Sequence, residues 1–236
     1  MKRRSTRAAV RAMLAVAVVI TTAPVLFAQK KHPKFTPPEL ATAADINYPI
    51  SSAVSGVVAV AVTLDGAGTI KGTYVLRDIP SLTSPVLLSI QNWTFKPAMQ
   101  DGKGIDSTIV VNIAYNPGDY RLGGAESPVL GQEMKTLSPD ANGYLPAKTN
   151  VAAWAEYPLN SVAQGAVVMD ARVNRRGRVT HVTAVWNMPP LEKASANAAK
   201  KWTFEPAALD GRPIGANTVI GYVFRPPNIA SPVARP

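Results

Sequence analysis

One stretch of this sequence occurs twice with its internal spacing unchanged. Tyr48-Pro49 opens the first copy, which closes on Trp93-Thr94-Phe95-Lys96-Pro97-Ala98 and Asp101-Gly102. Tyr157-Pro158 opens the second, which closes on Trp202-Thr203-Phe204-Glu205-Pro206-Ala207 and Asp210-Gly211. Every landmark is displaced by the same 109 positions without a gap, Gly56/Gly165, Gly68/Gly177 and Leu82/Leu191 included. Such a duplication constrains the fold strongly, because any element placed in one copy needs a counterpart in the other. Each unit is about 70 residues, a size at which a domain is marginal alone, so the copies are expected to support each other.

Within copy one, Val57-Val58-Ala59-Val60-Ala61-Val62-Thr63-Leu64 alternates larger and smaller apolar groups and predicts a strand with a well-buried face. Asp65-Gly66-Ala67-Gly68 has hairpin-loop composition, and Ile70 to Leu76 returns as the second strand. Ser84 before Pro85 predicts a helix start, with the helix running to about Asn92. After the Asp101-Gly102 turn, Ser107 to Tyr115 is a third strand. Copy two repeats the plan: strands at Ala166–Val173 and Val179–Trp186, a helix from about Leu191 to Lys200, and a last strand at Asn217–Phe224. The expected fold class is therefore α+β, with two tandem β-β-α-β units, each a small antiparallel sheet with one helix packed on one face. Trp93, Phe95, Trp202 and Phe204 are expected to close the two cores, and Tyr48 and Tyr157 to pack at the same end of each sheet.

The ends of the chain read differently. Lys2, Arg3, Arg4, Arg7 and Arg11 precede an apolar run from Ala12 to Ala28, the pattern of a signal peptide with a cut between Ala28 and Gln29. Retention of Arg11–Ala28 as an anchor is the alternative, and the only membrane contact the sequence suggests. Residues 1–28 hold five of the 25 Lys and Arg and no acid, so the formal +10 falls to +5 without them, 20 basic against 15 acidic residues. A nucleic-acid partner is therefore not indicated. Residues 29–46 read as a Pro/Lys linker, 47–115 and 156–225 as the repeats, 116–155 as a loop-rich connection and 226–236 as a Pro-rich tail. So long a connection predicts two lobes.

Catalytic and metal-binding patterns are sparse. The chain has no cysteine and two histidines, His32 and His181, which assemble neither a triad nor a metal site. Gly66-Ala67-Gly68 lacks the third glycine of a dinucleotide fingerprint. Arg175-Arg176-Gly177-Arg178 is the densest basic cluster and reads as a solvated hairpin turn. No enzyme activity, cofactor or metal is expected.

The ordered set of Tyr-Pro, Gly-x-Val, a turn ending in Gly, a helix ending in Trp-x-Phe-x-Pro-Ala, Asp-Gly and a final apolar strand resembles the TonB C-terminal domain, at about 47–115 and again at 156–224. That resemblance implies a periplasmic location, an outer-membrane receptor or other extended protein segment as partner, and binding by strand addition to a sheet edge. By position it implies the last strand of each unit as that edge: Ser107, Ile109, Val111 and Ile113, or Asn217, Val219, Gly221 and Val223. The family's energy transducers carry a Ser and a His on an N-terminal anchor helix, and Ala8–Ala28 has neither. A relative that keeps only the binding fold is therefore expected. The competing expectation is a scaffold whose two final strands pair with each other and leave no free edge.

Overall fold

Six long strands form one sheet. They are β1 (Gly56–Leu64), β2 (Ile70–Arg77), β3 (Ser107–Tyr115), β4 (Gly165–Val173), β5 (Val179–Trp186) and β6 (Ala216–Phe224). Their order is β5-β4-β6-β3-β1-β2, with helices α1 (Pro80–Ile90) and α2 (Pro189–Ala199) outside it. This computed structural model describes residues 34–49, 52, 54–116, 128–158 and 161–225, which belong to one compact unit. The segment 1–28 expected to be a signal peptide, the start of the expected linker, residues 117–127 and the tail 226–236 lie outside the described residues.

The two copies meet along β3 and β6, which pair in parallel, Val111 opposite Val219 and Tyr115 opposite Val223. All other neighbours in this sheet are antiparallel. Equivalent strands side by side and parallel are related by a rotation about the strand direction, and that rotation turns the sheet over. The helices therefore cover opposite faces. Val58, Val60 and Val62 of β1 and Ile109, Val111 and Ile113 of β3 pack with Leu82, Val86 and Ile90 of α1, and with Trp93 and Phe95. On the other face, Val167, Met169 and Ala171 of β4 and Ile220, Tyr222 and Phe224 of β6 pack with Leu191 and Ala198 of α2, and with Trp202 and Phe204.

The faces are shared between the copies. Ala166, Val168, Val219 and Val223 join the core under α1, while Val57, Ala59, Val110 and Ala114 join the one under α2. Register follows from the same alternation. Val110 and Val219 are equivalent by sequence but lie on opposite faces, and residues directly opposite in a sheet must share a face. Val219 accordingly pairs one position further on, with Val111.

Two expectations are corrected here. The units are not separate lobes with a sheet each, since a single six-stranded sheet runs through both. Nor are the final strands edges: β3 lies between β1 and β6, and β6 between β4 and β3. The cause is composition. Both strands are buried throughout apart from half-buried Thr108, and a predominantly apolar strand gains most from neighbours on both sides.

Local structure also departs from the expected bounds. Helix α1 begins at Pro80 and contains Pro85, rather than starting there. Pro80 takes the first-turn position where a missing N–H is tolerated, and the Thr83 hydroxyl supplies an N-terminal acceptor for the Ile79 N–H at 2.9 Å. Helix α2 likewise begins earlier, at Pro189. Part of the presumed linker is sheet: Phe35–Thr36 pairs with Ala98–Gln100, and Glu39–Thr42 with Thr94–Lys96. The same elements recur in the connection, where Tyr144–Leu145 pairs with Ala208–Leu209 and Lys148–Val151 with Thr203–Glu205. Their displacement is again 109, so each structural repeat starts before its Tyr-Pro.

The repeated landmarks serve this architecture. Asp101 and Gly102, like Asp210 and Gly211, all have positive φ, the conformation of a two-residue turn matched to strand twist. Gly68 and Gly177 also have positive φ, and a Cβ there would fall on the carbonyl oxygens of Phe95 and Phe204. Tyr48 donates its hydroxyl to the Val54 carbonyl at 2.6 Å and Tyr157 to Ala163 at 2.5 Å. Each tyrosine stands edge-on to the last aromatic of its copy, Tyr115 at 5.2 Å and Phe224 at 5.9 Å between ring centres.

Candidate functional site

With the final strands internal, the features left to interact are the seam between the copies, the N-terminal strand laid across copy two, and the two outer strands. The seam is apolar except at one point. Asn112, fully buried on β3, donates from Nδ2 to Thr218 Oγ1 and the Val219 carbonyl, both at 3.2 Å. It accepts from Thr149 Oγ1 at 2.8 Å, and Thr218 Oγ1 donates to the Val110 carbonyl at 2.8 Å. The network ties β3, β6 and the Lys148–Val151 strand together, and only one sliding position of β3 against β6 satisfies it. Asn112 corresponds to Gly221, whose missing side chain leaves room for Ile113: a Cβ there would sit 2.6 Å from Ile113 Cδ1.

A second polar tie crosses the copies. Leu40, on the Glu39–Thr42 strand, donates its N–H to Asp170 Oδ1 of β4 at 3.1 Å. Asn217 Nδ2 donates to Asp170 Oδ2, and Arg172 Nη1 donates to Asn217 Oδ1 at 2.8 Å. Burial pushes the Asp170 carboxyl above its ordinary pKa, against the opposing pull of the Leu40 and Asn217 hydrogen bonds. A carboxyl whose pKa rises on folding holds more protons folded than unfolded, so its contribution to stability falls as pH rises through that window, from about pH 4 upward. Asp170→Asn cannot ionise. Its stability relative to the parent is expected to improve between pH 4 and pH 7, read as the shift of the urea midpoints; a pH-independent difference would refute this.

The two tryptophans show how one fold solves the same problem twice. Trp93 donates its indole N–H to Ser89 Oγ at 3.0 Å, and Ser89 Oγ lies 3.2 Å from the Ala44 carbonyl. Ala198 replaces that serine in copy two, and Trp202 reaches the equivalent Ala153 carbonyl directly at 3.1 Å and Tyr222 Oη at 2.7 Å. Both pairs of aromatics are thus core, with Trp93, Phe95, Trp202 and Phe204 all buried.

The outer strands differ from each other. Along β2, the Lys135 N–H donates to the Leu76 carbonyl at 2.9 Å, Arg77 pairs with Glu133 at 2.7 Å, and the Lys135 ammonium stands 5.2 Å from the Tyr74 ring centre. Lys71 pairs with Asp106 at 2.8 Å. Beside β2 lies a cavity of about 180 Å³ between Leu76, Val110, Leu137, Leu145, Ala147 and Pro206. That is below the range of small-molecule pockets. Along β5, no backbone group outside β4 bonds to the strand among the described residues.

Of the residues singled out as the binding edge, Ile109, Val111, Ile113, Val219 and Val223 are core, Gly221 makes room for Ile113, Ser107 is buried, and Asn217 joins the Asp170 tie. Val111, Ile113, Val219, Gly221 and Val223 come together, but as a seam, and Ser107, Ile109 and Asn217 lie beyond its paired register. Asn112 and Asp170 were missed, although a lone amide in Ile109-Val110-Val111-Asn112-Ile113 is a legible signal. No helix among the described residues is long and apolar enough to cross a membrane.

A family model described as "Gram-negative bacterial TonB protein C-terminal" matches the chain twice, over residues 31–117 and 156–226. Searches of the curated proteins and of the solved structures found no match.

Proposed function

Because the chain belongs to the family of Gram-negative bacterial TonB protein C-terminal domains, a periplasmic, non-catalytic protein-interaction fold of receptor transport, we propose that it is an exported binding module that takes up extended protein segments by strand addition at an outer strand of its sheet. The carrying observation is the parallel β3·β6 pairing. It occupies the final strand of both copies and leaves β2 and β5 as the termini of the sheet. The module acts as its own scaffold at the seam and performs no energy transduction by itself.

Amide exchange tests this with a neutral eight-residue peptide of alternating valine and threonine as the probe. β3 and β6 are expected to exchange slowest, with or without peptide, while added peptide slows exchange only in β2 or β5. Peptide that alters exchange in β3 and β6 would mean that the seam opens to receive it, and the reading fails.

A further inference from the structure

The two outer strands are equivalent by sequence displacement and unlike in surroundings, and the difference points to one of them. We infer that β5 (Val179–Trp186) is the docking edge, and that its partner is an extended peptide segment carrying acidic residues at the end that meets the β4–β5 turn. This rests on the strand-addition reading above.

Three observations carry it. First, β2 is partly covered, by Lys135 on Leu76 and by the Arg77–Glu133 pair, and β5 has no such cover among the described residues. Second, β5 lacks the side-chain protection common on an exposed edge, although the register shifts at Thr180 and Val185 interrupt its ladder. Val-Thr-His-Val-Thr-Ala-Val-Trp contains no proline, lysine or acid, whereas natural edges are commonly blunted by such groups. Trp186 at its far end is 37% exposed.

Third, the charge is specific to copy two. Arg175, Arg176 and Arg178 are exposed at the turn that starts β5, and no carboxylate pairs with them among the described residues. Their equivalents in copy one are Gly66, Ala67 and Thr69, which build the same turn without charge. The turn itself is held by Asn174 Oδ1, which accepts the N–H groups of Arg176 at 2.9 Å and Arg178 at 3.1 Å, as Asp65 does in copy one. Folding therefore does not require the arginines. At the turn itself the backbone is taken, the Gly177 carbonyl by the Phe204 N–H and Arg178 by a bridge to Thr203, so the open row starts at Val179. Three cations without a carboxylate partner next to that row complement a strand that brings carboxylates to that end.

The test titrates the full-length protein with two eight-residue peptides of alternating valine and threonine, one ending in three glutamates and one in three lysines, and follows backbone amides by NMR. The acidic peptide is expected to shift amides in 179–186 and to bind more tightly than the basic one. Reversal of the cluster, Arg175→Glu with Arg176→Glu and Arg178→Glu, is expected to weaken the acidic peptide by about tenfold or more. These exposed turn positions leave the core intact, so the variant's unfolding midpoint should stay near the parent's. Shifts confined to 70–77 would overturn the choice of edge while leaving strand addition standing. Shifts in the turn alone, or binding to anionic phosphatidylglycerol vesicles without either peptide binding in 179–186, would overturn the peptide assignment. Failure of the neutral, acidic and basic peptides alike to bind would remove both readings.

Discussion

Replacing Trp202 by alanine is expected to lower the free energy of unfolding by about 3–5 kcal/mol. The side chain is 0% exposed, stacks on Phe204 and meets Tyr222 edge-on at 6.2 Å, and its loss removes the indole N–H from the Ala153 carbonyl and the Tyr222 hydroxyl, which keep only their bond to each other at 3.0 Å. Its position makes the effect global. Trp202 sits over the face that also buries Val57, Ala59 and Val110 of copy one. The variant, with Trp154 and Trp186 also replaced by phenylalanine so that Trp93 is its one tryptophan, should therefore lose both copies in one urea transition, with fluorescence of Trp93 and far-ultraviolet circular dichroism following the same curve. Two transitions, with the copy-one signal surviving the first, would show that the copies are energetically separate.

The seam makes the second large prediction. Asn112→Ala removes the donor of two hydrogen bonds and the acceptor of a third from a fully buried site, leaving Thr149 Oγ1 and the Val219 carbonyl without their partner. Unmet buried groups make this cost about 2–4 kcal/mol, more than the truncated volume alone would. Adding Thr149→Val to the alanine variant should recover part of the loss, because it removes one of the stranded groups. Chemical denaturation of the two single variants and the double gives the coupling. Strict additivity would mean that the network does not act as a unit.

How much of this was legible in the sequence depends on range. The strands at 57–64, 70–76, 107–115 and 179–186 follow from β-branched alternation and turn chemistry, both local, and they lie within a residue of their observed ends. The tryptophans were assignable to the core because proline and the turn fix where helix gives way to strand. The pairing of β3 with β6 was legible only as the competing expectation, and that expectation's closed sheet was not found, since β2 and β5 remain as the outer strands. The pairing joins residues over a hundred positions apart through backbone groups, and an apolar strand reads the same at an edge or in the middle of a sheet. For the same reason the two alternative edges, Ser107–Ile113 and Asn217–Phe224, were placed at the rim of a sheet in which both are internal. The early strands at 39–42 and 148–151 were hidden by proline-rich flanks, and only a comparison at displacement 109 upstream of Tyr48 and Tyr157 would have exposed them.

The one-residue slide between β3 and β6 has a consequence for how such a protein can arise. Two separate, identical chains joined about an exact two-fold axis form an isologous contact, in which every residue at the axis appears from both sides. A seam offset by one position is heterologous: each side meets a different set of neighbours. Within a single chain the two sides are free to diverge, and they have, Asn112 supplying the polar contacts on one and Gly221 yielding space to Ile113 on the other. Duplication thus fixed an asymmetry that a symmetric homodimer could not hold.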